Sequence, residues 1–456
     1  MRMHDLVDAR VAVWGYGREG RAALAALRRR FPHKQLTLLC AADERAHVSD
    51  DANLDVITGT VAARTLQTFD VIVKSPGISP YKPPISEAVA AGVKFTSATA
   101  LWFAENPAAR ARYGIVGVTG TKGKSTTSAM IAHGARALGI RTALAGNIGM
   151  PLLDLEGQQA ELWVVELSSF QTAEAGPLEV GVITNLYEEH LDWHGTGERY
   201  AADKLKLADA ARTLIVNADQ PALLARTAAH THRVLFADAA GWHARDGAIR
   251  RGDKRLLPMA QLPVPGEHNA QNVCAALAAL EALGLDTGAA LPHLSRFKPL
   301  PHRLHGLGSR AGLEYINDSI ATTPQATIEA LRSLDNRMVT VIVGGFDRGV
   351  DWSGFVNYVR VCPPHAIIAS GANGARIAEA LCTLESPRFE LLSAPTLEQA
   401  VGVARACTPA GGVVLLSPGA PSFDQFRDYA ERGREFARLA GFDPASIANI
   451  EGLGVA

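Results

Sequence analysis

One octapeptide, Gly120-Thr121-Lys122-Gly123-Lys124-Ser125-Thr126-Thr127, has the residue types needed to hold a polyphosphate. Glycines let backbone N–H groups turn toward anionic oxygens, and a helix starting here adds the partial positive charge of its N-terminus. Lys124 supplies a full charge, and Ser125 offers a hydroxyl to a magnesium ion. The apolar run Ile115–Val118 just before it reads as a strand. The spacing departs from the common G-x-x-x-x-G-K-[ST], because Val118 stands where the first glycine would be. The alternative is a glycine-rich turn with a solvated lysine. Strand, glycines, Lys-Ser and helix in that order point instead to a nucleoside triphosphate.

Three more residues have types that suit the same chemistry. Glu166 follows the apolar run Leu162–Val165, and a carboxylate at a strand end beside a phosphate loop suits Mg²⁺. Its structural alternative is a helix cap. His190 follows the buried run Val180–Thr184, and Lys204 lies in a helical pattern, Tyr200–Lys206. Taken singly, the first would be a packed histidine and the second a solvated lysine. Their company gives them weight.

Near the start, Gly15-Tyr16-Gly17-Arg18-Glu19-Gly20 follows the run Val11–Trp14. This G-x-G-x-x-G turn seats a diphosphate on a helix N-terminus in dinucleotide binders. Such proteins place an acid about twenty residues on; Asp43 stands somewhat late for that role. A second loop, Lys74-Ser75-Pro76-Gly77-Ile78-Ser79, follows Val71–Val73. Two small-residue loops after neighbouring strands suit a diphosphate-linked sugar nucleotide.

The elements that must position these residues alternate. Val11–Trp14 precedes a helical pattern over Arg18–Arg30, and Ile115–Thr119 precedes one over Ser125–Leu138. Val339–Val343 is another strand, and Val413–Leu416 precedes a helical pattern over Phe423–Leu439. Strand–helix alternation implies parallel sheets covered on both faces. Polar, proline-bearing breaks at Glu105–Arg112 and Lys298–Pro301 divide the 456 residues into segments 1–111, 112–299 and 300–456. That matches roughly 150 residues per domain.

Composition excludes several classes. The chain is 47% hydrophobic and 20% charged, with a net charge of −1, so no global field attracts nucleic acid or an anionic membrane. Five widely spaced cysteines with no CxxC pair argue against a disulfide framework or a zinc site and suit a reducing cytoplasm. Met1–Arg10 does not read as a signal peptide, and no run of about 18 apolar residues offers a membrane span.

Together these motifs resemble the Mur ligase superfamily. The resemblance runs from Gly15 to Ala440. It rests on TGTKGKST, Gly146-Asn147-Ile148-Gly149, Glu166–Gln171, Glu189-His190-Leu191-Asp192, Lys204, Gly266–Asn269 with Asn272, Leu300–Arg303 and Asn317-Asp318-Ser319. Ser75–Ile78, Ser422–Phe426 and Glu431–Gly433 resemble the glutamate-adding branch. The resemblance implies an N-terminal Rossmann-like domain for the UDP-sugar, a central P-loop ATPase-like parallel sheet, and a C-terminal Rossmann-like domain for glutamate. It implies an ATP-dependent ligase, active as a cytoplasmic monomer, that joins glutamate to UDP-N-acetylmuramoyl-L-alanine through an acyl phosphate. The loop Gly120–Thr126, with Asn269, Asn272, Arg303 and Asp318, would bind ATP. Ser125 and Glu166 would hold one Mg²⁺ and His190 a second. Lys204 would be carbamylated by CO₂, which turns a cation into a metal-ligating anion. Tyr16, Gly17, Arg18, Ser75 and Gly77 would position the uridine diphosphate, and Asn147, Ser168 and Ser169 the muramoyl end. Closure of a mobile third domain would bring the amine into line.

The glutamate pocket departs from the D-glutamate enzymes. Thr322, Arg348, Ser422 and Tyr429 would line it, but Ile320 stands where a lysine is usual and Arg348 where another is usual. Tyr429 stands where phenylalanine is expected. An arginine fork grips a carboxylate differently from an ammonium, and moving the charge partners of two carboxylates changes which enantiomer fits. This favours L-glutamate, with D-glutamate as the alternative. Three other readings fit less of the chain. A folylpolyglutamate-type ligase leaves the two N-terminal loops unused. An oxidoreductase leaves the phosphate loop and third domain unexplained. A non-catalytic scaffold does not need Lys124, Glu166, His190 and Lys204 together.

Overall fold

The computed structural model describes residues 1–456 apart from 43, 106–110, 264–265, 448–449 and 451. Asp43 and most of the expected first linker therefore lie outside the described residues. The first sheet takes β1 (Val11–Trp14), β2 (Leu36–Cys40), β3 (Leu54–Thr58), β4 (Val71–Lys74) and β5 (Lys94–Thr96), in the order β3-β2-β1-β4-β5. All its pairings are parallel. β1, β2 and β4 are apolar throughout or nearly so, because helices cover both faces.

The second sheet holds β6 (Ile115–Thr119), β7 (Thr142–Gly146), β8 (Leu162–Glu166), β9 (Leu178–Ile183) and β10 (Ala211–Asn217). It continues through β11 (Arg233–Phe236), β12 (Trp242–Arg245), β13 (Ala248–Arg251) and β14 (Lys254–Pro258). Its centre is β9-β6-β8-β7, so β6 has a strand end on each side of the loop that leaves it. The third sheet holds β15 (His305–Arg310), β16 (Leu313–Asn317), β17 (Val339–Val343), β18 (Ala366–Ser370), β19 (Glu390–Ala394) and β20 (Val413–Leu416), in the order β15-β16-β20-β17-β18-β19.

Parallel pairing was expected throughout. It holds in the sheet centres, but β12–β14 form an antiparallel meander and β15 pairs antiparallel with β16. Short turns such as Asp246-Gly247 and Ala311-Gly312, with positive φ, join antiparallel neighbours directly. The segment 300–456 also does not end within its own sheet. A last strand, β21 (Gly454–Val455), pairs antiparallel with β7, and Arg136 Nη2 donates to Gly454 O at 3.1 Å. The expected helix over Phe423–Leu439 starts later, at Tyr429, and ends at Ala440. Asp428 caps it by accepting from Glu431 N, and the residues before it turn instead. The helix after β6 spans Lys124–Ala137.

The chain divides into two compact units. One contains the first two sheets, and the other contains Lys298–Glu451 with Pro263–Glu267. Within the first unit one apolar core joins both sheets: Val13, Leu38 and Leu101 share it with Ala145, Trp163 and Val165. Trp102, on the helix Ala98–Ala104, meets Trp163 of β8 edge-on at 5.0 Å. The third sheet has a core on each face, around Phe355 and around Phe436. Replacing Trp163, which is 2% exposed, with alanine is expected to cost about 3–5 kcal/mol in the first unit. Chemical denaturation read by tryptophan fluorescence checks this, and a loss under 1 kcal/mol would contradict a shared core.

Candidate active site

The phosphate loop is tied down on both sides. Gly120 has φ +145° and Gly123 +81°, values that L side chains rarely adopt. A Cβ on Gly120 would lie 1.9 Å from Thr184 Oγ1, and one on Gly123 would lie 2.3 Å from Asn272 Oδ1. The segment after β9 supplies the ties. Thr184 Oγ1 donates to Lys122 O at 2.6 Å, and Asn185 Oδ1 accepts from Lys122 N at 2.8 Å. Thr121 Oγ1 lies 2.8 Å from the Tyr200 hydroxyl. Thr127 Oγ1 donates to Asn272 Oδ1 at 3.2 Å, and Asn272 Nδ2 donates to Asn269 Oδ1 at 3.2 Å. The two asparagines expected near ATP therefore back the loop itself. Lys124 Nζ donates to Thr121 O at 3.0 Å, and Lys122 forms an ion pair with Glu189. Ser125 and Thr126 are buried at the start of the helix.

Strand register brings the other candidates to this edge. Val118 pairs with Glu166, and Thr119 with Ile183, so the ends of β6, β8 and β9 are level. Glu166 is 1% exposed. Its Oε1 accepts from Asn147 Nδ2 at 2.6 Å, while Oε2 is buried without a hydrogen-bond partner. A buried carboxylate oxygen left unmatched is costly unless something positive meets it, so it fits a divalent cation. Among the described residues no three His, Cys, Asp or Glu side chains form a ready-made cation cage.

Lys204 is 2% exposed on the helix Gly197–Ala210, and its amine donates to Gly120 O at 3.0 Å. Burial pushes its pKa well below the usual lysine value, and Lys124 pushes the same way against the attraction of Glu189 and Glu166. The solvated lysine weighed from sequence is thus a buried amine driven toward its neutral form. His190 has φ +55° at the start of the short helix Leu191–His194, and its ring stands edge-on to Phe170 at 5.0 Å. Ser168 Oγ donates to Gln171 Oε1 at 2.7 Å.

Sequence reading missed a buried chain beside this edge. Ser169 Oγ lies 3.0 Å from His194 Nε2, and His194 Nδ1 lies 2.8 Å from Asp203 Oδ2. The Tyr81 hydroxyl donates to Asp203 at 2.7 Å from the first domain. Burial holds His194 below the usual histidine pKa. Trp193 stacks on Phe170 at 4.5 Å, and its Nε1 donates to Pro76 O at 3.0 Å. The sequence signal was there: Trp193-His194 lies one turn past His190, and Asp203 precedes Lys204.

In the first domain Gly15 (φ +92°) packs under Ser75, whose Oγ donates to Gly15 O at 3.3 Å. Arg18 opens the helix Arg18–Arg30 and reaches Gly149 O at 3.4 Å, so the loop 146–149 and the glycine turn adjoin. Tyr16, Gly17 and Gly77 lie on the two loops at this crest, with Tyr16 partly covered and Gly17 and Gly77 exposed. In the second unit Asp318 accepts from Ser417 Oγ at 2.8 Å and from Leu304 N at 3.2 Å, next to Arg303. Ser319 Oγ donates to Tyr429 O at 2.7 Å, and Arg432, buried, donates to Ser319, Ala420 and Pro421 carbonyls. Arg432 thus holds the segments carrying Thr322, Ser422 and Tyr429 together, while Arg348 is exposed on the loop after Gly345.

Comparisons with known proteins bear on the family and the fold. Residues 9–97 match the model of the Mur ligase MurD-like N-terminal domain, and residues 118–280 match that of the Mur ligase middle domain. A UDP-N-acetylmuramoyl-L-alanine--L-glutamate ligase of Xanthomonas euvesicatoria is 48% identical, with all of both chains covered. One of Salinispora tropica is 40% identical over 96% of this chain and 98% of its own. Among solved structures, the UDP-N-acetylmuramate-alanine ligase MurC of Thermotoga maritima covers 95% of this chain and 99% of its own at 20% identity, with a TM-score of 0.62. The MurF ligase of the same organism, in complex with ADP, covers 95% of each chain at 16% identity, with a TM-score of 0.58. Full-length relatives at this identity, together with the two domain matches, establish that this chain belongs to the Mur ligase family, the ATP-dependent amide ligases of peptidoglycan synthesis.

Proposed function

We propose that this ligase adds L-glutamate to UDP-N-acetylmuramoyl-L-alanine through an acyl phosphate, in the cytoplasm and as a monomer. The observation that carries the chemistry is the level edge of β6, β8 and β9, where Lys124, Glu166 and Lys204 meet. A carboxylate is a poor acyl donor because its oxygen is a poor leaving group. Transfer of the γ-phosphoryl group of ATP to the alanine carboxylate removes that obstacle, and the neutral amine of glutamate then displaces phosphate. Lys124 and the loop amides of Gly120–Thr126 would hold the β- and γ-phosphates, with Asn269 and Asn272 behind them. Magnesium, when bound, supplies positive charge against the phosphoryl oxygens. Ser125 and Glu166 would hold one ion; His190 and a carbamylated Lys204 would hold another.

The burial of Lys204 supports a carbamate there. Its neutral amine would attack the carbon of CO₂ and lose a proton, leaving an anion where a cation would repel the metal. Tyr16, Gly17, Arg18, Ser75 and Gly77 would seat the UDP end, with Asn147, Ser168 and Ser169 toward the muramoyl group. Arg303 and Asp318 would serve ATP from the third domain, and Thr322, Arg348, Ser422 and Tyr429 would take glutamate. We assign these domains to residues 1–111, 112–299 and 300–456, leaving the strand β21 to the central sheet. The L-enantiomer is supported by the names of the relatives and by Ile320 and Arg348 in place of the usual lysines.

Phosphate release with UDP-N-acetylmuramoyl-L-alanine, ATP, Mg²⁺ and each glutamate tests the whole reading. L-glutamate is expected to be much the faster; a strong preference for D-glutamate would overturn the enantiomer assignment. Lys124→Met should lower the rate by about 10²–10³-fold while leaving UDP binding intact. For Lys204, activity should fall in bicarbonate-depleted buffer and return on adding bicarbonate, with a carbamate resonance in ¹³C spectra. Full activity without CO₂ and no such resonance would exclude the modification.

A further inference from the structure

Lys74 closes β4, just before the loop Ser75–Ser79, and is 7% exposed. Among the described residues its ammonium has no hydrogen-bond or ion-pair partner; it faces the ring of Trp193 at 5.9 Å. A buried cation with only an aromatic face beside it is poorly compensated. Among the described residues Glu174 is the one acid that acts on it, against the burial that pulls its pKa down. That carboxylate already accepts from Ser97 Oγ, and burial raises its own pKa toward the neutral form.

Its place in the fold says what could meet it. Lys74 pairs with Trp14, so the ends of β4 and β1 are level. Between these two strands the sheet order reverses: β2 and β3 lie on one side, β5 on the other. Open parallel sheets take their ligands outside the strand ends at such a switch point. Gly15 and Ser75, the residues next along each strand, touch across it. Trp193 Nε1 holds Pro76 O, and Ser79 Oγ donates to Trp193 O at 2.6 Å, so the loop after Lys74 is fastened in place.

We propose that Lys74 receives an oxyanion of the nucleotide-linked substrate, its diphosphate, at the crest between β1 and β4. This rests on the reading that the first domain seats a UDP-linked substrate. Calorimetric titration of uridine, UDP and UDP-N-acetylmuramoyl-L-alanine into the wild type, Lys74→Met and Lys74→Arg separates the possibilities. The methionine variant should lose about tenfold or more in UDP affinity, keep its uridine and ADP affinities, and be largely rescued by arginine. Equal weakening of uridine and UDP would mean that Lys74 only supports the fold, and would overturn the proposal. Loss confined to the complete substrate would move the partner to its carboxylate and overturn the diphosphate assignment. A wild type that binds uridine and UDP alike would sink the underlying UDP reading instead.

Discussion

Under the phosphate loop, the amine of Lys204 donates to the carbonyl of Gly120, out of reach of water and with Lys124 nearby. Two lysines so close cannot both stay comfortably charged in a buried place. The protein answers by keeping Lys204 dry, with its pKa pushed well below the usual lysine value, and leaving Lys124 at the start of the helix. The rest of the edge follows from that choice. Glu166 offers one satisfied and one unmatched oxygen, and Glu189 engages Lys122. The loop needs glycine at both positions, because both have positive φ and because Thr184 and Asn272 occupy the space a side chain would take.

The first two domains are coupled by polar and aromatic contacts as well as by their common core. Tyr81, Ser79 and Pro76 of the first domain all bind the stretch Trp193–Asp203 of the second. That stretch begins three residues after His190 and ends one residue before Lys204. The loop proposed for the uridine diphosphate and the residues proposed for the metal therefore share one rigid support. The buried hydrogen bonds of Ser169, His194 and Asp203 add directionality that apolar packing lacks.

In the other unit, Arg432 plays a comparable part for three loops. It is buried, its pKa is pulled down to about 10 mainly by burial, and it donates to carbonyl groups and to the Ser319 hydroxyl. A planar fork with several donors can tie separate chain segments together, which an ammonium does less well. The exposed Arg348 lies on the next loop. One arginine shapes the support while the other is open to solvent.

Much of this was legible along the chain. β-branched runs followed by glycine turns located β1, β4 and β6 and their loops, because strand periodicity and glycine's conformational freedom are local properties. The order strand, glycines, Lys-Ser and helix identified the phosphate loop for the same reason. Other features depended on which strands lie side by side. Glu166 and Thr184 reach the loop only because β8 and β9 flank β6, although both strands lie far from it in sequence. The burial of Lys204, the His194–Asp203–Tyr81 chain and the return of β21 to β7 are contacts between distant residues. Residue identities therefore set the chemistry on offer, and tertiary packing decided which groups lost water and so which pKa values moved.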